Sequence, residues 1–422
     1  MNKSQFDKEQ VRVLLILALL NFVNYADRQI IFPLFPQIQQ EFHLNYTQLG
    51  MLATVFTIVL SLGSVPFGVL SDRGSRRKVI SFGVLFWSAA TFLSGAAQSF
   101  RHLLIARGLV GVGEAAYTPA GTSIISETFP QEVRSQVQGM FNVGMFLGGA
   151  VGMALGGMVA HWAGWRPAFF VMGVPGLLLG LWALRLPEPA RQQKGQAAVP
   201  VRALLRVPAY LMILAGSWFI SFAGYAYTAW GPQFVQEYKG FTPQEAGVVL
   251  GLTLVVAGAA GVMAGAVASD RLFRIAPWAR AVVIPIGFLL AAPLTYLGLH
   301  AAGKTAFTLL FASGVFFLTW YHGPVAATIH DLIPASGHGT AIGIYTLFVN
   351  LFAMAIAPLV VGGIADATNL LTGLLAAVAA QVVGALLFVV AIFQIRRDGL
   401  RHPAMEPYQE ENGVATELAE KA

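Results

Sequence analysis

Four ionisable side chains lie inside otherwise apolar stretches of this sequence. Asp27 and Arg28 are neighbours in the first stretch, and Arg107 and Glu114 lie seven residues apart in the fourth. An unpaired charge near the centre of a bilayer costs at least about 2.5 to 3.5 kcal/mol, so we expect all four to face the protein interior and one another. Two acids and two bases also sum to no net charge.

A carboxyl group beside an arginine in such a place can exchange a proton as its access to water changes. We predict that Asp27 and Glu114 are proton-exchanging carboxyl groups and that Arg107 helps to set their protonation. The alternative is that Asp27 and Arg107 form a purely structural ion pair. Because seven residues return to the same helical face, Arg107, Gly111 and Glu114 form one stripe, on which Gly111 lets a neighbouring helix approach closely.

The elements that must position these charges are membrane-spanning helices. Of the 422 residues, 56% are hydrophobic and only 11% are charged. A bilayer core takes roughly 20 apolar residues per helix, so the chain is long enough for about twelve spans. We predict an all-α membrane protein with twelve spans, at residues 12–34, 48–69, 79–98, 103–128, 136–160, 167–185, 208–235, 245–268, 280–299, 305–333, 340–365 and 370–395.

The basic residues between the spans predict the orientation of the chain. Connections on the side of the termini carry 20 Lys and Arg residues, whereas those on the other side carry 4. Since cytoplasmic loops are enriched in these residues, we predict that both termini are cytoplasmic. We expect a multi-pass protein of the plasma membrane, in a bacterium the inner membrane.

The chain divides at its longest polar connection, residues 186–207. It separates an amino-terminal six-helix half (1–185) from a carboxy-terminal one (208–397), and the polar segment 398–422 is predicted to be a disordered cytoplasmic tail. A Ser-Asp-Arg triplet follows the second span of each half, at Ser71–Arg73 and Ser269–Arg271. This repetition predicts two pseudo-symmetric halves.

These features resemble those of the major facilitator superfamily. The loop GVLSDRGSRRK at residues 68–78 is similar to the superfamily's loop signature, and NYADRQI (24–30), RGLVGVGEAAY (107–117), GWRPAFFVMGVPGLLLG (164–180) and GPVAATIHDLIP (323–334) resemble its Spinster branch. The same strings partly resemble the anion:cation symporters. The resemblance implies that spans 1, 4, 7 and 10 line a central cavity. It also implies that Arg107 stands where the superfamily has an arginine linked to proton coupling.

Spans 7 and 10 contain no formal charge but are rich in aromatic and hydroxyl groups. In span 10, residues 319–322 precede Gly323-Pro324, where we expect a local helix break, a common place for a transporter site. The alternative is that these aromatic residues only pack or form an interface belt, and that His322 is either a proton site or a satisfied core histidine. We predict as substrate-binding residues Asn24, Arg28, Tyr117, Tyr225, Trp230, Thr319, Trp320 and His322.

The cytoplasmic ends of spans 2 and 8 are predicted to act as gates. An aspartate facing an arginine across a seam makes a charged contact that can break when the seam opens. The predicted gate residues are Asp72, Arg73, Arg77, Asp270 and Arg271. In span 5, Gly144, Gly148, Gly152 and Gly156 recur every fourth residue, which predicts close helix packing. This run lacks the proline of the superfamily's antiporter signature, so it does not support antiport.

Several functions are disfavoured by what the sequence does not contain. It has no cysteine, no phosphate-binding Gly-x-x-x-x-Gly-Lys loop and no metal-binding histidine motif, so we predict neither an enzyme, a metal site, a cofactor nor direct ATP-driven pumping. The basic residues lie in short loops, which argues against nucleic acid as a partner. A receptor or sensor is disfavoured because no extramembrane signalling domain is evident.

The function predicted from the sequence is secondary transport of a small organic solute by alternating access, coupled to protons by symport. The predicted substrate is a lysolipid-type amphiphile, carried as the Spinster resemblance implies. The alternative is a small organic anion such as a sugar acid, since Arg28 and Arg107 suit a carboxylate as well as a phosphate. We expect a monomer whose partners are the substrate, protons and the lipid bilayer.

Overall fold

The computed structural model describes residues 6–188, 199–398 and 405, and every regular element among them is helical. The α-helices are α1 (Lys8–Gln29), α2 (Phe35–Phe42), α3 (Tyr46–Arg73), α4 (Arg76–Gly95), α5 (Phe100–Thr128), α6 (Gln131–Ala163), α7 (Trp165–Ala183), α8 (Val201–Leu204), α9 (Pro208–Tyr238), α10 (Pro243–Thr253), α11 (Ala259–Phe273), α12 (Val283–His300), α13 (Lys304–Leu318), α14 (His322–Leu332), α15 (His338–Phe348), α16 (Ala357–Ala367) and α17 (Leu370–Asp398).

Local capping residues explain where several helices begin. Asn45 caps α3, because its side chain accepts a hydrogen bond from the backbone N–H of Gln48 and the Gln48 side chain accepts one from Asn45. This reciprocal pair satisfies two donors that a helix start would otherwise leave without partners. Ser99 caps α5 by accepting from the backbone N–H of His102.

Eleven helical segments of the described residues are long and apolar enough to cross a membrane. The segment of residues 304–332 contains a 3₁₀ turn at Thr319–Tyr321, directly before the Gly323-Pro324 pair at which the sequence predicts a break. Two other segments contain π-helical turns, at Leu254–Gly258 and Val349–Met354, which the sequence pattern did not predict. Helix α5 has 29 residues but is not among the eleven, because charged, hydroxyl and glycine residues lower its hydropathy.

The described residues form two compact units. The first contains residues 6–188, 226–255 and 354–374, and the second contains residues 199–225, 256–353, 375–398 and 405. The boundaries fall inside α9 and α17, so the units do not coincide with the halves 1–185 and 208–397. Residues 189–198 of the predicted linker and all of the predicted tail, 398–422, except residues 398 and 405 lie outside the described residues.

In the first unit, α6 packs closely against α1 through the predicted glycine ladder. A Cβ atom added to Gly144 would lie 2.8 Å from the carbonyl oxygen of Ala18. Added Cβ atoms at Gly148 and Gly152 would collide with the backbone of α1 at Phe22 and Ala26. The predicted close packing is therefore confirmed, and it fixes the α1 backbone at Ala26, the residue before Asp27.

Helix α5 is held by α3 and α4 in the same unit. A Cβ atom at Gly111 would lie 2.7 Å from the carbonyl oxygen of Phe56 in α3. One at Gly113 would lie 2.7 Å from the backbone nitrogen of Trp87 in α4. The predicted role of Gly111 is confirmed, because only a residue without a side chain allows this approach beside Glu114.

In the second unit, glycines of α11 bring it close to the break in the segment 304–332. Gly261 faces the backbone of Phe316, and Gly265 faces the backbone of Trp320. Elsewhere in the unit, the hydroxyl of Tyr210 donates to the carbonyl oxygen of Ala341 at 2.7 Å, which ties α9 to α15.

Candidate functional site

The charged residues predicted inside spans 1 and 4 lie in one group of the first unit, which we call the charge cluster. It lies on α1, α4 and α5. Helix α6 packs against α1, and α3 packs against α5. The charge cluster consists of Asn24, Asp27, Arg28, Thr91, Arg107 and Glu114.

Arg28 and Glu114 make the ion pair of the charge cluster. The Nε atom of Arg28 donates to Oε2 of Glu114 at 2.6 Å and so links α1 to α5. The Glu114 side chain is fully buried, and that of Arg28 is 17% exposed. The guanidinium carbon of Arg28 also lies 4.7 Å from the ring centroid of Tyr25. A pair this well shielded from water has a strong interaction that depends on keeping both partners.

Asp27 has a different partner, on α4. The hydroxyl of Thr91 donates to Oδ2 of Asp27 at 2.6 Å, and both side chains are buried. Sequence reasoning missed Thr91, because a threonine in an apolar span gives no signal until its neighbour is known. No ion pair between Asp27 and Arg107 is found among the described residues, and the structural role considered for these two residues stays a prediction.

Several polar atoms of the charge cluster are buried without a hydrogen-bond partner in this structure. They are the two side-chain polar atoms of Asn24, Oδ1 of Asp27, Nε and Nη1 of Arg107, and Oε1 of Glu114. The guanidinium carbon of Arg107 lies 5.0 Å from the ring centroid of Phe56. Native structures pair most buried polar groups, so these side chains are candidates for binding a ligand, a proton or water.

Two predicted substrate residues of the first unit are already fully engaged in packing. Tyr117 is buried and its hydroxyl donates to the carbonyl oxygen of Leu17 at 2.6 Å. Trp230 is buried, and its indole N–H donates to the carbonyl oxygen of Pro358 at 3.1 Å. Neither side chain offers a free donor to a substrate in this conformation.

The predicted residues at the helix break of the second unit differ from one another. The hydroxyl of Thr319 donates to the carbonyl oxygen of Gly258 at 3.1 Å. The indole nitrogen of Trp320 is buried without a hydrogen-bond partner. His322 is exposed and stacks on Tyr321 with ring centroids 4.2 Å apart. Trp320 and His322 are therefore the two that keep polar atoms available.

Helix α9 adds polar groups to this part of the second unit. Tyr225, also predicted to bind substrate, is half-buried on α9. Ser221 on the same helix hydrogen-bonds to Tyr321. The indole N–H of Trp218 donates to the carbonyl oxygen of Phe352, in the second π-helical turn, at 2.7 Å.

The predicted gate residues are mostly exposed. The side chain of Asp72 lies outside the part of the chain that the structure describes. Arg73, Asp270 and Arg271 are exposed and Arg77 is half-buried. The ion pairs found among the described residues include none of these four. Their gating role stays a prediction.

A neighbouring basic residue makes the ion pair in each region instead. Arg76, after the first Ser-Asp-Arg triplet, pairs with Glu127 near the end of α5. Arg280, after the second triplet, pairs with Asp331 near the end of α14, with Nη1 and Oδ2 3.0 Å apart. The same arrangement thus recurs at matching points of the two predicted halves. Sequence comparison of the two loops could have found it by looking beyond the triplets.

Sequence reasoning did not predict the contact that the Asp366 carboxylate makes in the first unit. Oδ1 of Asp366 accepts from the backbone N–H of Tyr46 at 2.8 Å. Oδ2 accepts from the backbone N–H of Thr47 at 2.9 Å and from its hydroxyl at 2.6 Å. Asp366 on α16 therefore caps the start of α3, 320 residues away.

Close backbone contact continues from this cap along the two helices. A Cβ atom at Gly50 would lie 2.5 Å from the carbonyl oxygen of Pro358, and one at Gly362 would lie 2.6 Å from that of Tyr46. The hydroxyl of Thr54 donates to the carbonyl oxygen of Ala355 at 2.6 Å. We call this contact the α3–α16 seam, formed by Tyr46, Thr47, Gly50, Thr54, Ala355, Pro358, Gly362 and Asp366.

Many apolar helices around a buried charge cluster define a polytopic membrane protein of the transporter class. A model of the Major Facilitator Superfamily matches residues 17–358, so the chain belongs to this superfamily. It is therefore a membrane transporter and not an enzyme.

Individual relatives agree with the superfamily assignment. The chain is 30% identical to an MFS-type efflux pump of Mycolicibacterium smegmatis, over 91% of this chain and 92% of that protein. It is 28% identical to Protein spinster homolog 1 of Xenopus tropicalis, over 85% of this chain and 73% of the relative. It is 26% identical to a probable galactarate/D-glucarate transporter of Bacillus subtilis, over 94% and 95% of the two chains.

A solved structure has the same fold. It is a bacterial homologue of the human lysosomal transporter Spinster, described as inward-facing and unoccupied. The TM-score is 0.84 at 23% identity, with 93% of this chain and 99% of that chain covered. The resemblance to the Spinster branch read from the sequence is confirmed.

Proposed function

We propose that this protein is a proton-coupled secondary transporter of a small organic solute, working by symport and alternating access. The observation that supports the proposal is the charge cluster. Two buried carboxyl groups lie with the buried guanidinium of Arg107 and the half-buried guanidinium of Arg28, and each carboxyl keeps one oxygen without a hydrogen-bond partner. A carboxyl group so placed can bind a proton without first breaking all its contacts.

In this proposal the two carboxyl groups have separate roles. Protonation of Glu114 would release Arg28, whose guanidinium could then bind an anionic group of the substrate. Asp27 keeps its contact to Thr91 while its second oxygen exchanges the proton. Arg107, with two unpartnered nitrogen atoms, is the second cation that can receive the substrate anion.

The proposed topology follows the superfamily pattern. Helix α5 would be the twelfth span, since its 29 residues exceed the roughly 20 that a bilayer requires. The bias of basic residues, 20 against 4, supports cytoplasmic termini in a plasma membrane. The α3–α16 seam then lies on the outer side, and we propose a monomer whose halves, 1–185 and 208–397, alternate access between the two sides.

For the substrate we propose a lysolipid-type amphiphile with an anionic head. The Spinster resemblance supports this class, and so do the aromatic groups around Trp320 and Tyr321 in the second unit, where residues 305–330 contain no Asp, Glu, Lys or Arg. A sugar acid is the second candidate. It is supported by the 26% identity to the probable galactarate/D-glucarate transporter and by the two arginines of the charge cluster.

The test is uptake into proteoliposomes of the purified full chain under an imposed proton gradient. Lysophosphatidylglycerol and D-glucarate are supplied in separate experiments, and a dye inside the vesicles reports the pH. The variants are Asp27→Asn and Glu114→Gln. The control is Glu41→Gln, which removes a carboxylate paired with Arg166 at 2.5 Å outside the charge cluster.

We expect the native chain and Glu41→Gln to accumulate lysolipid with protons, and the two cluster variants to lose the proton drive. Proton-driven uptake of D-glucarate but not of lysolipid would show that the substrate is a sugar acid, and the proposed proton coupling would still stand. Proton-driven uptake at the native rate in both cluster variants would exclude the proposed coupling.

A further inference from the structure

Four hydroxyl groups of α4 are buried in the first unit, and one of them bonds to another helix. The hydroxyl of Ser81 has no hydrogen-bond partner. Ser88 donates to the carbonyl oxygen of Val84 at 2.8 Å, and Ser94 donates to that of Ala90 at 3.1 Å. Both bonds stay within the helix, as is usual for serine and threonine in a helix interior. Thr91 instead donates to Oδ2 of Asp27 at 2.6 Å.

This hydroxyl determines which oxygen of Asp27 is available. Oδ2 is occupied by Thr91, whereas Oδ1 is buried and has no hydrogen-bond partner. A hydroxyl donor stabilises an ionised carboxylate more than a neutral acid, because the bond to the charged form is stronger. Thr91 therefore acts on Asp27 both through orientation and through charge.

From this arrangement we infer that Thr91 is a positioning residue for proton exchange, which occupies Oδ2 of Asp27 and leaves Oδ1 as the oxygen that takes up the proton. The inference rests on the proposed function, in which Asp27 exchanges the coupling proton. Thr91 lies on α4, and the resemblance to the superfamily assigns no role to this position.

Other charged groups act on the same carboxyl group. They are Arg28 on α1 itself and Arg107 and Glu114 on α5. On the α6 face, Gly148 and Gly152 contact the α1 backbone and add no charge. Removing the Thr91 hydroxyl leaves all of these groups in place, so its effect on Asp27 can be measured separately.

The experiment is the pH profile of proton-driven uptake in proteoliposomes for the native chain, Thr91→Val and Thr91→Ser. Valine keeps the shape of threonine without the donor, and serine keeps the donor. Ser94→Ala is the matched control, because its hydroxyl bonds only within α4. We expect Thr91→Val to move the pH of half-maximal uptake upward by about one unit, a tenfold change in proton affinity. Thr91→Ser and Ser94→Ala should keep the native profile.

The outcomes separate this inference from the proposed function. If Asp27→Asn abolishes proton drive but Thr91→Val keeps the native pH profile, Thr91 is not a positioning residue and the inference is wrong. If Asp27→Asn leaves proton drive intact, the proposed role of Asp27 fails first. Thermal unfolding in detergent shows whether each variant is folded. If Thr91→Ser shifted the pH profile as much as Thr91→Val does, the inference would also be wrong.

Discussion

The charge cluster and the α3–α16 seam both contain carboxylate groups of the first unit, buried in the charge cluster and exposed in the seam, and these groups are hydrogen-bonded differently. In the seam, Asp366 accepts three hydrogen bonds from Tyr46 and Thr47, and both of its oxygens are used. In the charge cluster, Asp27 and Glu114 each use one oxygen and leave the other without a partner.

This difference separates a contact that holds two helices together from a contact that can exchange a proton. A carboxylate with all its acceptors used gains nothing from binding a proton and loses its bonds when it does. A carboxylate with one free oxygen can accept a proton while its other contact remains. We therefore expect changes at the seam to alter which conformation is populated. Changes in the charge cluster should alter the coupling of uptake to protons. They should also lower stability where they leave a buried charge without its partner.

The largest expected loss of stability follows from breaking the buried ion pair on one side. Arg28→Met leaves the Glu114 carboxyl fully buried without its cation. We expect a loss of about 3 to 5 kcal/mol in the free energy of unfolding, less if Glu114 takes up a proton. Thermal unfolding in detergent, followed by tryptophan fluorescence, measures this loss.

The double variant Arg28→Met/Glu114→Leu tests the explanation. Because both charges are removed, most of the stability should return, whereas proton-driven uptake should not. If the double variant were as unstable as Arg28→Met alone, the loss would come from packing around Tyr25 and not from the unpaired carboxyl group.

At the seam, Asp366→Ala removes every acceptor of the α3 cap at once. Because Asp366 is exposed and water competes for its hydrogen bonds, we expect each bond to contribute about 0.5 to 1.5 kcal/mol, so the loss of three should make opening of the seam roughly tenfold more frequent. The chain has no cysteine, so Thr54→Cys alone can report opening through its reaction rate with a membrane-impermeant maleimide.

Graded variants at the same cap sharpen this test. Thr47→Val keeps the backbone donor and loses the hydroxyl, so its labelling rate should lie between those of the native chain and Asp366→Ala. Thr47→Ser should resemble the native chain. Thr368→Val is the control, because that hydroxyl donates to Ile364 within its own helix. Equal labelling in all variants would show that Asp366 does not hold the seam closed.

Sequence reasoning reached most of the fold because hydropathy and glycine spacing report local physics. The spacing of Gly148 and Gly152 by four residues places both on one helical face, and the structure puts that face against α1. The π-helical turns at Leu254–Gly258 and Val349–Met354 were not predictable, since no proline or charge marks them.

The partners inside the charge cluster could not be predicted from depth alone. Counting residues puts Asp27 and Arg28 at the same depth, but neighbours on a helix point about 100° apart. This rotation directs Asp27 to Thr91 on α4 and Arg28 to Glu114 on α5. Asp366 was missed for a related reason, because no local pattern links it to a helix start 320 residues away.

Close packing behind the charge cluster gives a smaller expected effect. Gly152→Ala would force a methyl group against the backbone of Ala26, next to Asp27. Overpacking of this kind costs about 1 to 3 kcal/mol, and we expect lower uptake because α1 must shift. Gly139→Ala on the same helix is the control. Its added methyl meets nothing within 4 Å, so unfolding should be unchanged or harder by about 0.5 to 1 kcal/mol.

Arg107 should show the smallest change in stability. Its Nε and Nη1 atoms make no hydrogen bond, so Arg107→Met removes a charge that is costly to bury, and this gain offsets the loss of its attraction for Asp27. We expect the free energy of unfolding to change by less than about 1 kcal/mol, whereas proton-driven uptake is lost. The free energy of unfolding of Arg28→Met, measured in the same experiment, is the comparison. A loss of stability at Arg107 as large as that at Arg28 would mean that Arg107 and Asp27 act as a structural ion pair, and the division between holding and exchanging contacts would fail inside the charge cluster itself.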